Sequence, residues 1–154
     1  MKAVVNGKIV LKNGVLENKV IVFDKKIIDI CDKVPTNCEV IDAKGNYVCP
    51  GLIDIHIHGC KGFDAMDEDE NAVEIISKGL VETGVTSFLP TTMTMSPERI
   101  YKAFDNIIKA KNKSIKGAKV LGAHMEGPFI SPAKKGAQAA ENIMHCDYEY
   151  FSQL

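Results

Sequence analysis

A chain of 154 residues, 45% hydrophobic and 25% charged, has the composition of a globular domain and excludes a coiled-coil rod, a collagen-like fibre or a disordered tail. Its 19 Lys and Arg against 20 Asp and Glu leave a net charge of -1, without the broad positive field that a nucleic-acid partner selects. No apolar run approaches the ~18 residues that cross a bilayer, and the N-terminus lacks the apolar core of a signal peptide, so the expected location is cytoplasmic, with no membrane partner. Cys31, Cys38, Cys49, Cys60 and Cys146 are odd in number, irregularly spaced and free of any CxxC pair, which reads as reduced thiols.

Residues 1–49 read as a small β module. Val4 and Val5 lead into Asn6-Gly7, a hairpin signal, and Ile9-Val10-Leu11 follow; Lys12-Asn13-Gly14 makes a second turn. Lys19–Phe23 and Ile27–Ile30 flank Asp24-Lys25-Lys26 in the pattern of an antiparallel hairpin. Pro35 and Gly45-Asn46 punctuate the approach to Cys49-Pro50-Gly51, where the rhythm changes.

Over 50–154 strands and helices alternate. Leu52 to His58 reads as a strand, and Val73, Ile76 and Leu80 fall at helical spacing between Asn71 and Thr83, behind the acidic Asp67, Glu68, Asp69 and Glu70. Gly84 is the expected stop and Thr86–Leu89 the next strand. A second helix starts at Ser96 as N-cap with Pro97 first in the helix. Ile100, Ala103, Phe104, Ile107 and Ile108 form its apolar stripe, and Lys109, Lys111 and Lys113 gather near its C-terminus. Lys119–Ala123 reads as a third strand. The order βαβαβ predicts an α/β fold with a parallel sheet.

Side chains alternate along a strand, so Ile53, Ile55 and Ile57 share one face and Asp54, His56 and His58 the other. If helices cover the isoleucines, the polar face turns inward, where ionisable groups need partners. A divalent ion satisfies them, since imidazoles two residues apart converge on one point. The competing reading of so short a pattern is an edge strand with its polar face in water. Glu126 stands where the third strand gives way to Gly127-Pro128, and strand ends are where such folds place ligands. Glu126 with His56 and His58 makes a hard N/O donor set suited to Zn, Fe, Mn or Co; alone, it reads equally as a solvated loop glutamate. His124 shares the face of Glu126, and it and Asp54 are expected to support the ligands from behind. Lys134 and Lys135 read as solvated surface, and His145 carries no expected role.

Pro50-Gly51-Leu52-Ile53-Asp54-Ile55-His56-Ile57-His58-Gly59 resembles the first-strand signature of the amidohydrolase superfamily. By itself it fits dihydroorotases, dihydropyrimidinases and adenine deaminases equally. Gly122–Pro132, with Lys135-Gly136-Ala137-Gln138 and Pro90-Thr91-Thr92, narrows the resemblance to the N-acetylglucosamine-6-phosphate deacetylase family. That resemblance implies a (β/α)8 TIM-type barrel, of which residues 50–154 supply the first three strands, and a composite β-sandwich, of which residues 1–49 supply the N-terminal half. It implies metal-dependent hydrolysis of the acetamide of N-acetylglucosamine 6-phosphate to glucosamine 6-phosphate and acetate in amino-sugar catabolism. Glu126 is the implied principal metal ligand. His56 and His58 match members that hold a second ion, so a complete site takes one or two, and Ala137 and Gln138 sit where members contact the amino sugar. Homo-oligomers are expected of the complete protein.

A full barrel takes ~250 residues. The family's acid–base aspartate, further histidine ligands and phosphate contacts lie on later strands, so no catalytic residue is assigned here. The chain is expected to be an N-terminal fragment, inactive alone, with uncovered apolar surface. Two competing expectations are another amidohydrolase acting on a cyclic amide or nucleobase, and a non-catalytic metal- or partner-binding protein.

Overall fold

The computed structural model describes residues 1–154, which divide into two compact units, Met1–Pro50 and Gly51–Leu154. The first unit is built only of strands: β1 (Lys2–Val5), β2 (Lys8–Leu11), β3 (Gly14–Leu16), β4 (Val20–Phe23), β5 (Ile27–Cys31), β6 (Glu39–Asp42) and β7 (Tyr47–Val48). They form two sheets, β5-β4-β1-β6 and β3-β2-β7. Ala3, Val20 and Val22 make a small buried core, with Val5, Cys31 and Cys38 packed against it. The expected hairpin of β4 and β5 is present, with Val20 opposite Cys31 and Ile21 opposite Ile30. So is the turn at Lys12-Asn13, which pairs Leu11 with Gly14.

Asn6-Gly7 is not a hairpin turn. β1 pairs with β4 and β6, whereas β2 pairs with β3 and β7, so the chain leaves one sheet at Asn6 and enters the other at Lys8. The partner that overrides the local signal is the 42–46 turn. Asn6 Nδ2 donates to Asp42 Oδ1 at 3.0 Å, Gly45 N–H donates to the Asn6 carbonyl at 2.7 Å, and Lys8 N–H to that of Asn46 at 3.0 Å. Gly7 is needed for this close approach, because a Cβ there would lie 2.5 Å from Val48 Cγ2.

The second unit mixes helices and strands: β8 (Leu52–Ile57), the short antiparallel pair β9 (Gly59–Cys60) and β10 (Phe63–Asp64), α1 (Ala72–Leu80), β11 (Val85–Pro90), α2 (Pro97–Asn112), β12 (Lys119–Val120) and α3 (Tyr148–Phe151). The parallel sheet has the order β12-β11-β8. Val73, Ile76 and Leu80 of α1 and Ile107 and Ala110 of α2 meet Val85, Phe88 and Val120 of the sheet in one buried cluster. Each large aliphatic or aromatic side chain so buried contributes about 1.5–3 kcal/mol. Met66, Ile100 and Ala103 form a second, smaller cluster. No helix is long and apolar enough to cross a membrane.

Several local expectations change. The third strand is regular only over Lys119–Val120; beyond it the chain keeps step with β11 through Leu121 N–H to Phe88 O and His124 N–H to Pro90 O, both 3.0 Å. Ile108 is 47% exposed, and Asn106 is buried instead, its Nδ2 donating to the Asp67 carbonyl at 3.2 Å. The Ser96 hydroxyl makes no cap bond. The condition set for an inward polar face, helices covering the isoleucines of β8, is not met for Ile53 and Ile55. This strand is at the sheet edge, so Ile53 and Ile55 are 60% and 66% exposed, and Ile57 alone of the three packs on the core.

Candidate metal centre

His56, His58 and Glu126 come together where the strands end. His56 Nε2 and His58 Nε2 are 3.3 Å apart, and Glu126 Oε2 lies 2.9 Å from the first and 3.0 Å from the second. Donors at the corners of a tetrahedron with metal bonds of ~2.0–2.1 Å stand ~3.3 Å apart, so two imidazole nitrogens and one carboxylate oxygen at these spacings fit a small divalent ion. The three side chains are half-exposed rather than buried, at 49%, 35% and 32% for His56, His58 and Glu126. The convergence therefore leaves an open side.

The backbone dictates which nitrogens face inward. His58 Nδ1 donates to the Thr91 carbonyl at 3.2 Å, which turns Nε2 toward the cluster. Thr91 is fully buried, and its Oγ1 accepts from the Ile57 N–H at 3.0 Å, tying β11 to the segment between the two histidines. Asp54 serves the same segment: its Oδ1 accepts the His56 N–H at 3.1 Å and touches neither imidazole. His124 packs edge-on against the His56 ring, centroids 4.6 Å apart, with Nδ1 3.4 Å from Thr91 Oγ1; it is not among the converging donors.

Gln138 is buried beside Glu126 and donates from Nε2 to Oε1 at 3.0 Å. Ala137 is exposed on the same loop. Lys134 is exposed, and Lys135 folds back onto the carbonyl of Gln138 at 2.9 Å. His145 is exposed and apart from the cluster. Burial pushes the Glu126 carboxyl up, but the bond to His56, the charges of His58 and His56 and the bond to Gln138 outweigh it and hold the group below the usual carboxylate range. An open cavity of about 480 Å³ adjoins His58, lined by Asp64, Met66, Asp67, Met93, Met95 and Arg99.

Sequence reasoning reaches Thr91 only inside the Pro90-Thr91-Thr92 run that supports the resemblance, without a role, and does not reach Met93 or Thr94. The signal for the threonines is a run of buried polar residues, Thr91, Thr92 and Thr94, directly after a buried strand.

A parallel α/β unit with a His/His/Glu cluster at its strand ends has a donor set able to hold a divalent ion, and the amidohydrolase family pattern matches residues 47–152. The chain belongs to the amidohydrolase family, a family of hydrolases. It is similar to N-acetylglucosamine-6-phosphate deacetylase of Bacillus subtilis (strain 168), with 40% identity over 157 residues, covering 98% of this chain and 39% of the relative. N-acetylgalactosamine-6-phosphate deacetylase of Escherichia coli O157:H7 is 29% identical over 147 residues, covering 96% of this chain and 38% of its own. The crystal structure of N-acetylglucosamine-6-phosphate deacetylase from Pasteurella multocida superposes with a TM-score of 0.85 at 33% identity, covering 99% of this chain and 41% of that one. The chain thus spans well under half the length of each of these relatives.

Proposed function

We propose that this chain carries part of the metal centre of a deacetylase that hydrolyses the acetamide of N-acetylglucosamine 6-phosphate to glucosamine 6-phosphate and acetate. The observation that carries this reading is the convergence of His56 Nε2, His58 Nε2 and Glu126 Oε2 within 4.8 Å of one another, in a chain 40% identical to a deacetylase of that name. In this reading β8, β11 and β12 are the first three strands of a (β/α)8 barrel, with the ligands at their carboxyl ends, where such barrels keep their chemistry. Residues 1–49 are then one half of a β-sandwich. The enzyme is read as a cytoplasmic homo-oligomer of amino-sugar catabolism.

His56, His58 and Glu126 would hold a divalent ion, Zn, Fe, Mn or Co, one or two to a complete site. When bound, such an ion supplies Lewis acidity toward the acetamide carbonyl and brings the ionisation of water near neutral pH. The chain's own residues set the stage. The Thr91 carbonyl keeps His58 Nδ1 protonated and Nε2 free, and the ring of His124 limits the rotation of His56. Glu126, held ionised by its neighbours, supplies the negative charge of the donor set. Ala137, exposed beside Gln138, is the position from which this loop meets the amino sugar. The acid–base group and the phosphate contacts are assigned to none of these 154 residues.

The test has two arms. Titration of the purified chain with Co or Zn against a chromophoric chelator should show a site that Glu126→Ala removes; binding unaffected by Glu126→Ala sinks the centre. A chimera in which residues 1–154 replace the matching part of the Bacillus subtilis relative should release acetate from N-acetylglucosamine 6-phosphate. The galacto epimer, assayed alongside because of the Escherichia coli relative, decides the sugar. A chimera that hydrolyses a cyclic amide and neither sugar phosphate overturns the substrate assignment.

A further inference from the structure

Glu126 sits on a stretch of chain without backbone ties of its own. Upstream, His124 N–H donates to the Pro90 carbonyl and the His124 carbonyl accepts from Thr92 N–H, both at 3.0 Å. Downstream, the Pro128 carbonyl accepts from Ile130 N–H and Met144 N–H, also at 3.0 Å. Met125, Glu126 and Gly127 between them make no backbone–backbone hydrogen bond. The place of the carboxylate is therefore set by the anchors on either side, and Gly127, which rotates more freely than other residues, joins it to the downstream one.

The downstream anchor is completed by α3. Tyr150 is 9% exposed, and its ring stands edge-on to two others: Phe129 in the turn after Glu126, with centroids 5.9 Å apart, and Tyr101 of α2, 5.4 Å away. Such pairs are directional and add to the area they bury. Asp147 Oδ1 accepts the Tyr150 N–H at 3.0 Å, and Tyr101 Oη donates to Gln153 Oε1 at 3.1 Å, so α3 is fastened at both ends. The Tyr150 hydroxyl has no hydrogen-bond partner, which leaves the ring as the part that acts. The turn borders a cleft of about 240 Å³, lined by Met125, Gly127, Phe129, Ile130 and Phe151, so it has room to move once that ring is taken away.

We propose that Tyr150 is a positioning residue for the metal centre: wedged between α2 and Phe129, it fixes the turn after Glu126 and thereby the place at which the carboxylate meets His56 and His58. The inference rests on the metal-centre reading above. Tyr150 is not one of the converging donors, and it acts through Phe129 and the backbone that leads back to Glu126. Glu126 Oε2 lies 2.9 and 3.0 Å from the two imidazole nitrogens. Constellations of this kind have to be held within ~0.5 Å of their working geometry, a tolerance that an unsupported turn beside an open cleft does not meet.

The test compares Tyr150→Ala, Tyr150→Leu and Tyr150→Phe in the purified chain, with Glu126→Ala and Val73→Ala beside them. It reads Co affinity by chelator competition and the visible absorption of bound Co. Tyr150→Phe keeps the ring and discards only the unpartnered hydroxyl, so it should bind Co as the wild type does. Tyr150→Ala removes the wedge; Tyr150→Leu removes the ring but keeps apolar bulk, and so preserves the local fold if the alanine does not. Both should weaken Co binding by about 10–100-fold, the usual cost of losing what supports a metal ligand. Both should also change the visible bands, since the carboxylate no longer meets the ion at one fixed place. Val73→Ala empties a position in the cluster between helices and sheet, so it lowers stability while leaving affinity and spectrum as they were. That contrast separates positioning from general loss of structure. Wild-type affinity and spectrum in Tyr150→Leu overturn the role of Tyr150, as does an equal loss in Tyr150→Phe or in Val73→Ala. Binding that survives Glu126→Ala instead overturns the metal centre on which it stands.

Discussion

At Glu126 the cost of burial is outweighed by two histidines and an amide, and the sign of that balance has a measurable consequence. A carboxyl whose folded pKa is lowered adds stability above its unfolded value, about 4.3 for glutamate, and that stability is lost as pH falls through the folded pKa. In the ion-free chain, wild type should therefore exceed Glu126→Gln in unfolding stability above about pH 4.3, and the gap should close as pH falls below it. Denaturant unfolding at a series of pH values checks this; a gap that widens in acid contradicts it. The residues most legible in the sequence were of this kind, His56, His58 and Glu126, because donor type and strand-end position are local properties. Gln138 is legible only as a substrate contact implied by resemblance. Its bond to Thr94 spans 44 positions, and no spacing rule connects them.

Within the elements, α2 shows how far periodicity reaches. The 3.6-residue stripe identifies Ile100, Ala103 and Ile107, which are buried to 1% exposure or less, but it also draws in Ile108 at the margin. That margin is decided by a distant partner: the carbonyls of Asp67 and Glu68 need a donor, and Asn106 supplies it from the opposite side of the stripe. Adjacent isoleucines should thus respond differently. Ile107→Ala should cost ~2–5 kcal/mol by emptying a core position, whereas Ile108→Ala should stay within ~0.5 kcal/mol. Equal losses in urea denaturation would place both side chains in the core and contradict the packing. Asn6-Gly7 teaches the same lesson in a strand context. Its composition signals a two-residue turn, and the 42–46 turn captures its backbone groups instead.

Across the molecule, the parallel sheet is a short stack with β8 and β12 as its edges, and Leu52, Ile53 and Ile55 are exposed along β8. An edge that combines unpaired backbone groups with a row of exposed isoleucines is a template for pairing with another chain. The purified chain should bind a hydrophobic dye and associate as its concentration rises, and Ile53→Lys with Ile55→Lys should reduce both. Light scattering that shows no concentration dependence in the wild type removes the expectation. The alternation of strand and helix and the parallel sheet were legible because each rests on short-range periodicity. The bare isoleucine face was not, since alternation assigns a residue to a face without saying what, if anything, lies against it.

The donors of the proposed centre stand 70 positions apart in the chain, His56 before two helices and Glu126 after them. An ion that joins them closes a long loop, and the entropy of that closure has already been met once the sheet is assembled. Order of events follows from the geometry. During synthesis the histidines emerge before Glu126, so the three donors of the proposed centre exist together only after residue 126 has been added. An ion bound at the proposed centre would raise stability with the logarithm of its free concentration over the dissociation constant, which ties the folded population of this unit to the metal available around it.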